Sequence, residues 1–506
     1  MLYEPPERLN IADHFLDARV REGRGERTAL LTDQGALSYK EVQALANRFG
    51  NLLREVGTRP EERVMIALPD GAEFVAALFG TLKIGAVVVM VNPGLSSEEI
   101  RHLVDYTGAR TVIAHHDTAG PFEASLRGHP SRPMMPVVGS AEVDRALQRS
   151  SETLENHDTH RDDAAIWLFS GGTTGRPKAV VQTHRSFAYT AECYGRQVIG
   201  YTENDITLSV PKLYFGYATG SNLFFPFLAG GAAALFAEPA TPEALFERIR
   251  RFRPTVLVNV PTMVHKMLTH PAAGQADLSS LRVSTSAGEA LPAELYERWK
   301  RTFRVELLDG LGTAEMWHIF VSNRAGAVRP GTLGTVVPGF EIKSCDEEGR
   351  PVTPGETGWL WVKGGARAIG YWRRQEKTEN AFRGEWYVSG DLIQIDRDGY
   401  VTYCGRGDEL FKVGGKWLAP AEVEGCLLDH PAVAEAAVVG ATDPSGLTKP
   451  VAYVVPRERR AGLDDELKAF VRDRLAPYKH PREVVFLDAL PRTHLGKVDR
   501  GLLRRS

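Results

Sequence analysis

Short apolar runs recur between residues 64 and 308 and are separated by stretches of mixed polarity. They predict β-strands at 64–68, 86–91, 111–114, 165–169, 232–237, 256–260, 281–284 and 305–308. Residues 292–303 carry apolar side chains at helical spacing, and Ser96 followed by Glu99 has the pattern of a helix capping box. Strands that alternate with helices predict an α/β fold, here a large N-terminal domain of layered, largely parallel sheets.

The pattern changes after residue 334. Short runs at 341–345, 358–363 and 400–403 are separated by turns rich in Asp, Glu and Gly. This spacing predicts a small antiparallel β region.

The last hundred residues have the pattern of a separate, smaller α+β domain. A helix is predicted over 419–428, and strands over 434–440, 451–455 and 484–487. Between the last two strands, one face of a second predicted helix is apolar: Leu463, Leu467, Phe470, Val471 and Leu475. We place the boundary so that the domains span residues 1–407 and 408–506.

Composition narrows the function classes. Hydrophobic residues make up 43 % of the chain, and 61 basic residues face 64 acidic ones. Such a balance is typical of a globular protein and provides no strong field for nucleic acid or an anionic membrane. Four widely spaced cysteines without a C-x-x-C pair argue against a disulfide scaffold or zinc site and favour a reducing cytoplasm. Residues 74–91 are interrupted by Lys83 and predict a buried helix and strand rather than a membrane span.

The most informative segment is a glycine- and hydroxyl-rich loop at 170–178. Glycines let backbone N–H groups approach an anion, while hydroxyls and a lysine add donors and charge, so the loop suits a polyphosphate. It is not a Walker A loop, because Gly175 is followed by Arg and Pro. The simpler interpretation is a polar turn with an exposed lysine. The candidate residues are Ser170, Gly171, Gly172, Thr173, Thr174, Gly175 and Lys178.

This loop resembles the phosphate loop of the adenylate-forming enzymes, which include acyl-CoA synthetases, luciferases and peptide-synthetase adenylation domains. Further motifs follow in the order of that family over nearly the whole chain. Residues 311–315 resemble its aromatic-Gly-x-Thr-Glu motif, although Leu311 and Ala314 replace the aromatic residue and the threonine. The resemblance implies that Glu315 coordinates Mg²⁺, and that Gly312 and Thr313 lie beside the nucleotide.

The resemblance assigns the remaining nucleotide contacts as well. Gly288 and Glu289 correspond to a segment that lines the adenine pocket. Asp391 corresponds to the carboxylate that binds the ribose hydroxyls, and Arg406 to an arginine that also reaches the ribose. Asp408 corresponds to the hinge about which the small domain moves.

Two more segments carry the thiol and the catalytic chemistry in the family. Lys412, Gly414 and Gly415 correspond to residues beside the pantetheine channel, although a solvated Lys412 is an equal interpretation. Lys497 lies in a Pro-x4-Gly-Lys pattern and corresponds to the catalytic lysine. The resemblance therefore implies an AMP-forming acid–thiol ligase that uses ATP, Mg²⁺ and coenzyme A.

The acid to be activated is inferred from residues 211–227 and the neighbouring strand ends. Residues 212–222 contain no Asp or Glu, which disfavours an amino acid. The mixture of aromatic residues and glycines resembles benzoate–CoA ligases, so we expect an aromatic carboxylate; benzoate, hydroxy- and aminobenzoate, phenylacetate and cinnamate-like acids stay open. The candidate pocket residues are Tyr214, Phe215, Tyr217, Gly310, His318 and Ile319.

Two other functions fit the same motifs. One is a stand-alone adenylation enzyme that loads an aryl acid onto the phosphopantetheine of a carrier protein. The other is a non-catalytic acyl-nucleotide sensor that kept the fold. The sequence also leaves the oligomeric state open, a homodimer included.

Overall fold

The computed structural model describes residues 3–171, 177–414, 416–442, 447–492 and 498–504. The strands in this part of the chain are β1 (Thr28–Thr32), β2 (Gly35–Ser38), β3 (Arg63–Ala67), β4 (Val87–Met90), β5 (Thr111–His115), β6 (Val137–Val138), β7 (Ala164–Ser170), β8 (Lys178–Thr183), β9 (Ile206–Ser209), β10 (Ala232–Ala234), β11 (Val256–Asn259), β12 (Val283–Ser286), β13 (Glu306–Gly312), β14 (Ile319–Ser322), β15 (Thr335–Val336), β16 (Glu341–Cys345), β17 (Thr357–Lys363), β18 (Gly370–Tyr371), β19 (Phe382–Arg383), β20 (Trp386–Ile395), β21 (Val401–Arg406), β22 (Phe411–Val413), β23 (Lys416–Leu418), β24 (Val433–Thr442), β25 (Thr448–Pro456) and β26 (Glu483–Phe486).

The α-helices of the described residues are α1 (Tyr39–Glu55), α2 (Ala72–Lys83), α3 (Ser97–Thr107), α4 (Ala119–Leu126), α5 (Ala141–Arg149), α6 (His184–Thr190), α7 (Gly216–Thr219), α8 (Phe225–Ala229), α9 (Pro242–Phe252), α10 (Pro261–Thr269), α11 (Ala293–Phe303), α12 (Gln375–Ala381), α13 (Pro420–Leu428), α14 (Leu463–Arg472) and α15 (Arg500–Leu503). The predicted capping box is present at α3, where the side chains of Ser96 and Glu99 bond reciprocally to backbone N–H groups. None of the helices described is long and apolar enough to cross a membrane.

Two large sheets form the main part of the molecule. The nine-stranded sheet has the order β15-β14-β13-β12-β11-β9-β10-β1-β2, and its six central strands, β13 to β1, run parallel. The seven-stranded sheet has the order β18-β8-β7-β4-β3-β5-β6, and β8 runs antiparallel to both of its neighbours, β18 and β7. The largest hydrophobic cluster combines residues of both sheets, such as Leu308 and Ile166. The predicted layered, largely parallel fold is confirmed.

The remaining sheets are small and include the predicted antiparallel region. β16, β17, β20, β19 and β21 form an antiparallel sheet. The C-terminal part contains the hairpin β22–β23 and the sheet β24-β25-β26, with α13 and α14 packed into a hydrophobic cluster of its own. The position of the domain boundary at 407/408 stays a prediction.

Single elements differ from the sequence pattern. β10 ends at Ala234, three residues earlier than predicted, because its register with β9 provides partners only for Ala232 to Ala234. Lys83, which interrupts the apolar stretch 74–91, is 1 % exposed at the end of α2, where its ammonium pairs with Asp17 at 2.5 Å. The expected buried helix and strand are present as α2 and β4.

Candidate active site

The strand β13 leads into a short 3₁₀ turn that carries Glu315. Thr313 begins this turn, and its hydroxyl accepts a hydrogen bond from the Met316 N–H at 3.3 Å. Glu315 is 3 % exposed, and its Oε1 accepts a hydrogen bond from the Tyr371 hydroxyl at 2.8 Å. A buried carboxylate with a fixed orientation fits Mg²⁺ bound together with nucleotide phosphates.

The ends of the predicted phosphate loop lie on the antiparallel strands β7 and β8, where Ser170 is opposite Lys178. The Lys178 ammonium lies 4.2 Å from the centre of the Tyr371 ring. Burial lowers the pKa of Lys178, and the Glu315 carboxylate opposes that shift. Gly171 is exposed beside the loop, whereas the predicted loop residues Gly172, Thr173, Thr174 and Gly175 lie outside the described residues.

Asp391 lies on β20, directly opposite Arg406 on β21. It is 4 % exposed, and its carboxylate accepts a hydrogen bond from the Ser389 hydroxyl. The Tyr403 hydroxyl and the Arg406 guanidinium each lie 3.4 Å from Asp391 Oδ1. Arg406 also contacts Asp408 at 3.3 Å, so the predicted ribose residues and the predicted hinge residue form one chain of contacts.

These groups lie near one another in the described structure. Tyr387 of β20 is buried between them, and its pKa is raised by burial, by the Glu315 carboxylate and by Asp391. We call this group the nucleotide end of the site. It consists of Lys178, Glu315, Tyr371, Asp391 and Arg406.

The predicted adenine-lining residues follow β12. Gly288 has φ of +89°, and Glu289 is exposed with its carboxylate bound to the N–H and hydroxyl of Thr262, at 3.0 and 2.7 Å. Asp309 on β13 was not predicted. Its side chain is buried beside Ser286, burial raises its pKa well above the ordinary value, and its Oδ1 has no hydrogen-bond partner in the described part of the chain.

Four of the six predicted acid-pocket residues come together. His318 Nε2 donates to the Tyr217 carbonyl at 3.0 Å, and the rings of these two residues lie 5.3 Å apart. The Tyr217 hydroxyl bonds to the Thr285 hydroxyl at 2.7 Å. A Cβ atom on Gly310 would lie 3.1 Å from Ile319 Cγ2. We call Tyr217, Gly310, His318 and Ile319 the acid end of the site.

The acid end carries no net charge. Burial lowers the pKa of His318 to about 3, so the imidazole is neutral at pH 7. Because Nε2 carries the proton that bonds to Tyr217, Nδ1 is an acceptor, and it has no partner in the described structure.

The other two predicted pocket residues, Tyr214 and Phe215, contact each other with ring centres 4.5 Å apart. Burial and the neighbouring Asp70 raise the pKa of Tyr214 to about 12. Asp70 Oδ1 accepts a hydrogen bond from the Leu213 N–H at 2.9 Å, and Lys212 opposes the rise that burial causes in the pKa of Asp70. The segment 212–222 therefore has an acidic neighbour that its own sequence lacks, although this carboxylate already faces a lysine.

One turn joins the two ends of the site. Trp317 lies between Glu315 and His318 and has φ of +59°, a value uncommon for a residue other than glycine. A Cβ atom on Gly312 would lie 2.5 Å from the His318 carbonyl oxygen, so only glycine fits there without movement of the backbone. The metal-ligand candidate and one wall of the acid end are thus fixed within four residues.

The thiol-side predictions lie in the C-terminal part. Lys412 is exposed on β22, and Gly414 has φ of +56° in the turn that leads to β23. Gly415 and the predicted catalytic residue Lys497 lie outside the described residues.

The functional candidates that sequence reasoning missed differ in how they could have been found. Asp309 is an acidic residue that directly follows the apolar pair Leu307 and Leu308 in β13, which is a usable signal. Tyr371 reaches Glu315 across 56 residues and Asp70 reaches Leu213 across 143, and no local pattern marks either contact.

Comparison with known proteins identifies the family to which this chain belongs. The sequence matches the family described as "AMP-binding enzyme" over residues 16–372 and "AMP-binding enzyme C-terminal domain" over 422–497. The chain belongs to the AMP-binding enzyme family.

Its relatives include the benzoate–CoA ligase of Thauera aromatica, 40 % identical over 99 % of this chain and 96 % of the relative. The 4-hydroxybenzoate–CoA/benzoate–CoA ligase of Rhodopseudomonas palustris is 37 % identical over 99 % of this chain and 94 % of the relative. The crystal structure of the anthranilate–CoA ligase AuaEII in complex with anthranoyl-AMP has a TM-score of 0.95 and 36 % identity, covering 99 % of this chain and 98 % of that one. The predictions of an adenylate-forming, AMP-forming acid–thiol ligase and of a resemblance to benzoate–CoA ligases are confirmed.

Proposed function

We propose that this protein is an ATP-dependent aryl–CoA ligase for benzoate-type acids. It converts the acid into an acyl-adenylate with release of pyrophosphate and then transfers the acyl group to the thiol of coenzyme A with release of AMP. The observation that carries the proposal is that a charged nucleotide end and an uncharged aromatic end meet at the turn between Glu315 and His318.

The first step requires two anions to meet, because a carboxylate oxygen attacks the α-phosphorus of ATP. Positioning and electrostatic stabilisation supply most of the catalysis in such a transfer. Glu315 would hold Mg²⁺, which when bound neutralises phosphate charge. Lys178 and the loop before it would hold the outgoing pyrophosphate, and Lys497 would bridge the acid carboxylate and the α-phosphate.

The ribose and the adenine would be bound by buried polar groups of the site. Asp391, beside Ser389 and Arg406, would accept hydrogen bonds from the two ribose hydroxyls. Asp309 offers a buried acceptor without a partner, which suits the exocyclic amine of adenine. Gly288 and Glu289 would line the base.

The acid end supports a flat, uncharged ring. Tyr217, Gly310, His318 and Ile319 contribute no charge that would bind a substrate ammonium. The unpartnered Nδ1 of His318 can accept a hydrogen bond from a ring hydroxyl or amino group. The relatives act on benzoate, 4-hydroxybenzoate and anthranilate, as their names state, so these three acids head the list of substrates.

The second step needs a thiol in place of Lys497. The C-terminal domain, residues 408–506, would rotate about Asp408 and present Lys412, Gly414 and Gly415 to the pantetheine arm. Asp408 is suited to a hinge because it lies in the turn after β21 and contacts Arg406 of the large domain.

The test is AMP release from ATP, Mg²⁺ and coenzyme A across aromatic and aliphatic acids, with pyrophosphate exchange measured without coenzyme A. We expect coenzyme A-dependent AMP release with benzoates and little with acetate or amino acids. Glu315→Gln should lose exchange, whereas the matched control Glu297→Gln, exposed on α11, should keep it.

Two outcomes would redirect the proposal. Exchange without coenzyme A-dependent turnover would point to a carrier-protein thiol as the acceptor. Silence in both assays for every acid would contradict the ligase and favour the acyl-nucleotide sensor.

A further inference from the structure

Tyr371 contacts both the metal-ligand candidate and the phosphate-loop lysine. Its hydroxyl donates to Glu315 Oε1 at 2.8 Å, and its ring centre lies 4.2 Å from Lys178 Nζ. The residue is 7 % exposed. A single buried side chain therefore sets the separation between a carboxylate and an ammonium on two different segments.

The backbone around Tyr371 fixes both partners as well. Tyr371 of β18 pairs with Val180 of β8, the strand that begins with Lys178. Three residues before it, the Ala368 N–H donates to the Glu315 carbonyl at 2.8 Å. The segment 368–371 thus holds the main chain of Glu315, the side chain of Glu315 and the strand of Lys178.

The hydroxyl of Tyr371 is the donor in its contact with Glu315, because a carboxylate oxygen accepts hydrogen bonds. A hydrogen bond to one carboxylate oxygen restricts the rotation of the group and leaves the other oxygen for a metal ion. Groups that hold a metal ligand in this way tune metal affinity although they never touch the metal.

We propose that Tyr371 is a positioning residue: its hydroxyl orients the Glu315 carboxylate for Mg²⁺, and its ring holds the Lys178 ammonium beside it through a cation–π contact. This inference rests on the proposed function, since it assumes that Glu315 binds the metal of MgATP. It goes further in making the metal site and the phosphate loop depend on one tyrosine.

Two substitutions separate the two contacts. Tyr371→Phe removes the hydrogen bond and keeps the ring, whereas Tyr371→Leu removes both. We expect Tyr371→Phe to raise the Mg²⁺ concentration for half-maximal pyrophosphate exchange about tenfold, within the range seen when a group that holds a metal ligand is lost. The rate at saturating Mg²⁺ should fall less than the affinity, and Tyr371→Leu should lower both.

A binding measurement makes the test independent of turnover. Mn²⁺ in the presence of a non-hydrolysable ATP analogue is titrated by electron paramagnetic resonance with wild-type protein, Tyr371→Phe and the control Tyr39→Phe. Tyr39 is fully buried and donates to the Gly231 carbonyl at 2.6 Å, so its change also removes one buried hydroxyl. We expect a tenfold weaker Mn²⁺ complex for Tyr371→Phe and an unchanged one for Tyr39→Phe.

The outcomes distinguish this inference from the proposed function. If Tyr371→Phe binds Mn²⁺ and uses Mg²⁺ as the wild-type protein does, or if Tyr39→Phe weakens both to the same degree, the positioning role is wrong. If none of the acids supports pyrophosphate exchange by the wild-type protein, the proposed function fails. The Mn²⁺ titration still decides the role of Tyr371 in that case.

Discussion

The nucleotide end and the acid end lie on either side of one turn, yet their buried polar groups differ in charge and in the hydrogen bonds that they make. At the nucleotide end, Glu315 and Asp391 are buried carboxylates, and each accepts hydrogen bonds from a neighbouring hydroxyl. At the acid end, His318 is buried but neutral, and its donor is used on a backbone carbonyl. The nucleotide end therefore has charged side chains that are oriented before a ligand binds, whereas the side chains of the acid end are uncharged. Mutations at the two ends should therefore fail in different ways.

The largest expected effect comes from Lys497, which we place between the two ends during the first step. Lys497→Ala should lower the rate of acyl-adenylate formation about 10³-fold, or about 4 kcal/mol in the barrier, because one preorganised charge at a phosphoryl transfer is lost. Thioester formation from a supplied acyl-adenylate should be spared, because that step no longer needs the lysine. Pyrophosphate exchange and thioester formation are measured separately.

The control for this change is Lys468→Ala. Lys468 is a lysine of the same C-terminal part, on α14, where it pairs with Asp464 and Asp465. It should leave both half-reactions unchanged. An equal loss in both half-reactions for Lys497→Ala would remove the assignment of this residue to the first step.

The two ends also differ in how far the sequence could predict them. Glu315 and Asp391 were named because short motifs around them resemble those of the family, and Lys178 because it ends a glycine- and hydroxyl-rich loop; their roles stay predictions. Tyr217, Gly310, His318 and Ile319 were named as pocket residues and come together, whereas Tyr214, named with them, lies beside Asp70, which follows β3 by three residues. The shape of a pocket depends on how distant segments pack, and no single stretch encodes that packing.

The same division holds for the fold. Parallel strands were predicted well because buried apolar runs between helices have few other solutions. The helix α1 was not predicted, although Ser38 and Glu41 form the same capping box that identified α3. Tyr371 was missed because its contacts depend on the pairing of β18 with β8, more than 180 residues apart in sequence.

The next effect concerns the neutral histidine of the acid end. The pKa of His318 is lowered from an ordinary 6.5 to about 3 by burial, so between these values the unfolded chain binds a proton that the folded chain does not. Its contribution to stability is present above pH 6.5 and is lost as the pH falls. At pH 5 we expect His318 to cost about 2 kcal/mol of unfolding free energy relative to pH 7.5.

A difference between variants isolates this term. Urea unfolding at pH 7.5 and pH 5 is compared for the wild-type protein, His318→Gln and His116→Gln, the last an exposed residue after β5. His318→Gln should lower stability at pH 7.5 but lose about 2 kcal/mol less on acidification. If the unfolding free energy of His318→Gln falls on acidification as much as that of the wild-type protein, the pKa of His318 is not lowered in the folded protein. The imidazole would then become charged in the same pH range as in the unfolded chain.

The smallest expected effect is also the most selective, because it tests whether the acid end is defined by space alone. A Cβ atom on Gly310 would lie 2.8 Å from the Val321 carbonyl oxygen and 3.1 Å from Ile319 Cγ2, so Gly310→Ala must push β14 and Ile319 away from β13. We expect the KM for the aromatic acid to rise about tenfold, or about 1.4 kcal/mol, while the KM for ATP stays within about twofold. Gly274→Ala, which adds a methyl group in open space, should change neither constant. If Gly310→Ala instead raises the KM for ATP and for the acid equally, the shift of β14 reaches Glu315 through the turn at Trp317. The two ends of the site would then move together and could not be changed separately.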